Sequence, residues 1–218
     1  MSAKYPRSFH LPWSPGGTRD DKRMASVAGL IGTEIVVTEK LDGSNMALTR
    51  EAVFARSHSG PPSHPSFAWA KALQARIGGQ IEPGVTLFGE YCYAVHSIIY
   101  EELPGYFFLF GVRDDASGAW WEWDLVTAQA GLLELPTVPE LFRGVVESEG
   151  ALERLVRGVG GGVSVFGGER EGVVARVTRG FGDAEFAGVL GKYVRADHVQ
   201  TDEHWMFQEL RVQRGPRG

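Results

Sequence analysis

One cysteine, Cys92, is all the thiol chemistry this 218-residue chain has. No intrachain disulfide can staple it, which excludes a disulfide-built scaffold. Its neighbourhood, Phe88-Gly89-Glu90-Tyr91-Cys92-Tyr93, reads as a buried strand, so a small core residue is expected there rather than a reactive thiol. No apolar run approaches the roughly 18 residues that a membrane helix needs, and Met1 to His10 contains no apolar signal core. A cytoplasmic protein that touches no membrane is expected. An excess of positive charge is missing too. The formal net charge is −5, which argues against a surface coated for bulk nucleic-acid binding. A local basic groove stays open, because Lys4, Arg7, Arg19, Lys22 and Arg23 crowd the N-terminus and Arg211, Arg214 and Arg217 the C-terminus. The simplest reading of both clusters is solvated tails. Internal repeats and linker-like tracts are also absent, and the length suits one domain, 1–218, with a single sizeable core.

What is present is a series of short apolar, β-branched and aromatic runs. Strands are expected over Glu34 to Glu39, Asn45 to Phe54, Val85 to Tyr91, Tyr106 to Val112, Ala119 to Trp123, Val173 to Val177 and Phe186 to Val194. Pro65 to Ile77 carries Phe67, Ala70, Leu73 and Ile77 at helical spacing. Leu125 to Leu133 and Ala151 to Val156 read as short helices. The proline-punctuated opening, Phe9 to Gly17, reads as irregular, and Gly158 to Gly168 as a flexible surface loop. Helices interrupt the strands irregularly, without a βαβ alternation, so an α+β fold of antiparallel sheets flanked by helices is expected.

Lys40 is the residue with most to say. It ends an apolar strand and precedes an Asp-Gly turn, in Glu39-Lys40-Leu41-Asp42-Gly43-Ser44-Asn45. A primary amine held there can be a nucleophile if neighbouring cations or desolvation suppress its charge. Alone, a Lys-x-Asp-Gly tetrad is weak. Five further segments strengthen it by their order: Phe54-Ala55-Arg56-Ser57-His58-Ser59-Gly60, Leu87-Phe88-Gly89-Glu90-Tyr91, Phe107 to Val112, and then Glu171-Gly172-Val173-Val174-Ala175-Arg176 followed by Leu190-Gly191-Lys192-Tyr193-Val194-Arg195.

This ordered set resembles the covalent nucleotidyltransferases, which comprise ATP-dependent DNA ligases, RNA ligases and capping guanylyltransferases. The resemblance runs from about Glu34 to Arg195, and the glutamate before the lysine is most similar to the RNA ligase 2 branch. It implies an adenylation domain, ATP-grasp-like, and an ATP-dependent RNA ligase that uses Mg2+ or Mn2+. Such an enzyme joins 5′-phosphate and 3′-hydroxyl RNA ends, at a nicked duplex or a broken RNA, with DNA a possible substrate and a separate end-healing kinase or phosphatase a possible partner. Residue by residue, the resemblance makes Lys40 the nucleophile that forms lysyl-AMP, and Glu39 the acceptor for the adenine amino group. Asn45 and Arg56 would meet phosphates or the nucleic-acid end, Glu90 the ribose and Phe110 the adenine face. Glu171 and Asp42 would hold the metal through its water shell. Lys192 would contact the α-phosphate and help depress the Lys40 pKa.

The chain departs from that branch in places. Its Lys-x-Lys pair is reduced to Lys192, with Leu190 and Val194 at that spacing, so Arg195 or another lysine is expected to take over. Asp42 stands where phage members carry histidine. No C-terminal OB-fold is expected after Arg195. His198 to Trp205 packs two histidines and two acids, but their spacing does not fit a helical zinc pair. A final helix capped by Thr201, docking Trp205 and Phe207, is the better reading. The rival functions are a capping-type guanylyltransferase, disfavoured by Glu39, and a non-catalytic nucleotide- or RNA-end-binding module.

Overall fold

The structure is a computed structural model that describes residues 4–17, 21–58, 60, 62–196, 198 and 210–215. Eleven strands are described: β1 (Phe9–His10), β2 (Glu34–Lys40), β3 (Ser44–Leu48), β4 (Val53–Ala55), β5 (Val85–Tyr91), β6 (Phe107–Asp114), β7 (Ala119–Trp120), β8 (Glu140–Val145), β9 (Gly172–Val177), β10 (Phe181–Gly182) and β11 (Leu190–Val194). They form two sheets, one ordered β1-β11-β9-β2-β8 and the other β10-β7-β6-β5-β3-β4. The helices are α1 (Ala68–Ile77), α2 (Trp123–Leu132), α3 (Glu149–Val159) and the single turn α4 (Phe186–Val189). The α+β expectation holds. One pairing departs from it: β1 lies parallel to β11, with His10 opposite Lys192, while the other strand pairs are antiparallel.

Two apolar cores follow from the alternation of side chains along the strands. Leu87, Leu109 and Val112 of the six-stranded sheet pack with Leu73 and Ile77 of α1 and Trp123 and Val126 of α2. Ile35, Val37, Val173, Ala175 and Val177 of the five-stranded sheet pack with Leu152 and Val156 of α3. Phe67, Ala70, Leu73 and Ile77 are all buried, as their spacing predicts. Ser148 caps α3, its hydroxyl accepting from the Ala151 N–H at 3.2 Å, a contact worth about 1 kcal/mol.

The boundaries differ where local chemistry overrides pattern. The run Asn45 to Phe54 is two strands, because the Thr49 hydroxyl accepts from the Glu51 and Ala52 N–H groups and turns the chain. The strand expected over Ala119 to Trp123 stops at Trp120, and Trp123 opens α2. Phe186 to Val194 begins as a helical turn and becomes a strand only at Leu190. The helix expected to start at Thr201 lies outside the described residues. No described helix is long and apolar enough to cross a membrane.

Candidate active site

β2 belongs to one sheet and β3 to the other. The segment after Lys40 is therefore no hairpin turn; it is the bend that carries the chain across the gap between the sheets. A side chain on Gly43 would press on the Tyr91 carbonyl (2.7 Å) and the Cys92 sulfur (3.0 Å), so this crossing needs glycine. Asp42 is fixed within it. Its N–H donates to the Tyr100 hydroxyl at 2.7 Å, and its Oδ2 accepts from the Ser97 N–H, the Ser97 hydroxyl and the Ile98 N–H, each at 2.8 Å.

The gap between the sheets is a cleft of about 400 Å³, a volume that suits a small ligand. Alternation delivers its walls: Thr38 and Lys40 from β2, Val174 and Arg176 from β9, Lys192 and Val194 from β11. The opposite sheet supplies Asn45, Glu90 and Phe110, and Arg56 follows β4. Asn45 and Glu90 face each other across β3 and β5. Glu39 and Glu171 complete the cleft. Asp42 stands beside it, its carboxylate within 4.8 Å of ligand atoms of Glu171 and His198. The structure thus brings the residues singled out in the sequence to one place.

Its electrostatics depart from expectation. Lys40 Nζ lies 2.7 and 2.8 Å from the two Glu171 oxygens. Burial works to lower the lysine pKa, but Glu171, Glu90 and Asp42 outweigh it, so Lys40 is raised above an ordinary lysine. The suppressed charge expected from the sequence is absent in this state, because Glu171, paired to the amine, acts together with Glu90 and Asp42. Lys192 is the amine that is depressed, by burial first and by Lys40 second. Burial pushes Glu90 up to about 7. Asp42 is held below the usual carboxylate range, the Ser97 hydrogen bonds overcoming the cost of its burial. Burial also pushes the Cys92 thiol up, and Cys92 is a core residue as expected.

At the closed end, Glu39 is 1% exposed. Its Oε2 accepts from the Val165 N–H at 3.0 Å and faces Arg170 Nε at 3.5 Å, while Oε1 has no partner among the described residues. The glycine-rich loop read as flexible surface is in fact tied down. Arg170 donates to the carbonyls of Val159, Gly161 and Val163, and Phe166 packs on the core. Arg176 bridges the sheets, its guanidinium donating to the carbonyls of Phe110 and Trp121. No carboxylate among the described residues meets it, and burial lowers its pKa to about 10.

Other cleft residues escaped the sequence reading. The N-terminal cations are not merely a solvated tail, since Arg7 lines the cleft with Tyr5 and Asp21. Asp21 lies 3.5 Å from Arg7 and 3.7 Å from Lys192. Tyr5 sits among Phe88, Phe110, Trp120 and Phe186, with ring centroids 5.1 to 5.4 Å away. Only the clustering of charge in this segment hinted at a role. Arg195 does not replace the absent lysine, because it pairs with Glu169 instead. Arg7 and Lys192 instead share Asp21.

Residues 33–194 match the family model described as RNA ligase. None of the curated protein sequences matches. Among solved structures, a Naegleria gruberi RNA ligase variant with ATP and Mn superposes with a TM-score of 0.58 at 18% identity, covering 89% of this chain and 60% of that one. The RNA ligase of the same organism with PPi gives 0.57 at 18%, covering 89% and 61%. Another variant with ATP and Mn gives 0.56 at 19%, covering 79% and 52%. The chain thus spans between about half and three fifths of these structures.

Proposed function

The chain belongs to the RNA ligase family, and from that premise we propose that it is an ATP-dependent RNA ligase working through lysyl-AMP on Lys40. The observation that carries this reading is the convergence on Lys40 Nζ of residues spread from Glu39 to Lys192, in one cleft between two sheets. In the first step the Lys40 amine attacks the α-phosphorus of ATP. The ammonium first gives one proton to solvent; the N–P bond then forms, the bond to pyrophosphate breaks, and a second proton leaves the nitrogen for solvent. The AMP then passes to a 5′-phosphate, and a 3′-hydroxyl displaces it to seal the strand. These are displacements at phosphorus, so the work is positioning and neutralising charge.

Glu39 reads the base. Its bare Oε1 suits the amino group of adenine and opposes the carbonyl that guanine carries in that place, which disfavours the guanylyltransferase alternative. Phe110 offers a flat face to the purine, and Glu90 an acceptor for ribose hydroxyls. Lys192 and Arg56 face the phosphates, with Asn45 beside them. Lys40 must leave Glu171 before it can attack, because the ion pair holds it charged. Two buried carboxylates, one of them already gripping a cation, form a donor set that fits Mg2+ or Mn2+. When bound, such an ion supplies charge that stabilises the phosphates. RNA ends are the substrate class of this reading.

The test is intact mass after incubation with ATP and Mn2+, then sealing of matched nicked RNA and DNA duplexes. One added AMP in the wild type and none in Lys40→Ala is expected, with RNA sealed. An adduct retained in Lys40→Ala, or formed only with GTP, would refute the assignment.

A further inference from the structure

We propose that His198 is a direct metal ligand, so that Asp42, Glu171 and His198 make a mixed imidazole–carboxylate site that prefers a first-row transition ion such as Mn2+ to Mg2+. The proposal deepens the ligase reading and rests on it for the identity of the cleft. One ligand atom from each residue lies within 4.8 Å of the other two. The side chains of Glu171 and His198 are 6% and 5% exposed, so this corner is closed on the protein side. His198 Nε2 is 3.7 Å from Glu171 Oε1, beyond hydrogen-bond distance but close enough for both to share one ion. A second observation marks the corner as built for a cation: Glu171 already holds the Lys40 ammonium with both oxygens.

Asp42 is prepared for the same task. Three donors fix its Oδ2, and so hold the carboxylate within reach of the Glu171 and His198 ligand atoms. Oriented carboxylates of this kind are what a metal site requires around its ligands. The chemistry of the set then decides the ion. Two carboxylates alone suit Mg2+, which keeps its waters and favours oxygen. An imidazole adds a nitrogen donor, and affinity for nitrogen-containing sites rises along the first transition row. The Lys40 ammonium is a competitor for the same carboxylate, so its removal should tighten metal binding.

Electron paramagnetic resonance on the full chain with Mn2+ and no nucleotide tests this. The wild type should bind one Mn2+ whose spin-echo modulation shows a directly bonded imidazole nitrogen. The modulation should vanish in His198→Gln and in His198→Ala, and binding should weaken roughly tenfold. Lys40→Met should bind Mn2+ more tightly than the wild type. Mn2+ bound without nitrogen coupling, unchanged affinity in both His198 variants, or no binding in the absence of nucleotide would each overturn the proposal. The ligase reading is tested separately by AMP addition to the same preparations. An adduct without nitrogen coupling sinks only the metal site, and nitrogen coupling without an adduct sinks only the ligase.

Discussion

The charge cluster around Arg113 and the one in the cleft are built on opposite terms. At one end of the six-stranded sheet, Arg113 donates to Asp183 at 2.6 and 3.0 Å and to Asp115 at 3.0 Å, while Trp120 Nε1 donates to Asp183 at 2.8 Å. Every shift there favours the charged form: Asp183 bonds raise Arg113, and the Arg113 bond lowers Asp183. In the cleft the shifts oppose one another. Lys40 is raised and Lys192 lowered, while Glu90 is raised and Asp42 lowered. Ion pairs that only hold a structure together can settle into mutual satisfaction. The cleft, proposed to receive a nucleotide, keeps like charges close and leaves Glu39 Oε1 without a partner among the described residues.

Breaking the nucleophile separates the clusters most sharply. Lys40→Ala should lower AMP-adduct formation at least ~10³-fold, since the covalent route vanishes with the amine; intact-mass kinetics measure it. Glu90→Gln probes stored strain. The folded-state pKa of about 7 lies above the ordinary value of 4.5, so the folded protein binds the proton more tightly and wild-type stability declines as pH rises through that window. Urea titrations should therefore find Glu90→Gln more stable than wild type above pH 7, by up to about 3 kcal/mol. The difference should disappear below pH 4.5, while the variant binds ATP less well.

Glu39→Gln should reduce the preference for ATP over GTP about 10- to 100-fold, because the amide can turn a donor toward the base; competitive labelling reads the ratio. Arg113→Ala should act in the other currency. It should cost about 1–2 kcal/mol, hence a melting point a few degrees lower, with adduct formation per folded molecule unchanged. A large loss of activity there would erase the contrast between the clusters.

The cleft residues that sequence alone disclosed share one property: their roles are carried by residue type at short range. Lys40, Asp42 and Gly43 announce a strand end and a bend, and Glu171 and Lys192 stand on strands whose cores are legible as apolar runs. β8 escaped because an edge strand with little burial, Glu140 to Val145, with Gly144 next to its end, has no alternating pattern to detect. β1 escaped because Pro12 and Pro15 just after it suggest irregular chain, and its partner lies far along the sequence. The Asp42–Tyr100 and Arg176–Trp121 contacts depend on tertiary placement. So does the nearness of His198 to Glu171, although His198 stood out in the sequence within an acidic, histidine-bearing stretch.

The parallel seam of β1 with β11, and the bond from the Val194 N–H to the Ser14 hydroxyl 180 residues earlier, bear on how the molecule comes into being. Contacts so distant along the polymer form late, since a long loop must close before they stabilise anything. A nascent chain that has emerged only through α3 already exposes Lys40, yet it lacks Glu171 and Lys192. Competence in the proposed reaction thus waits for β9 and β11, and a chain without them lacks the groups that the proposed adduct needs.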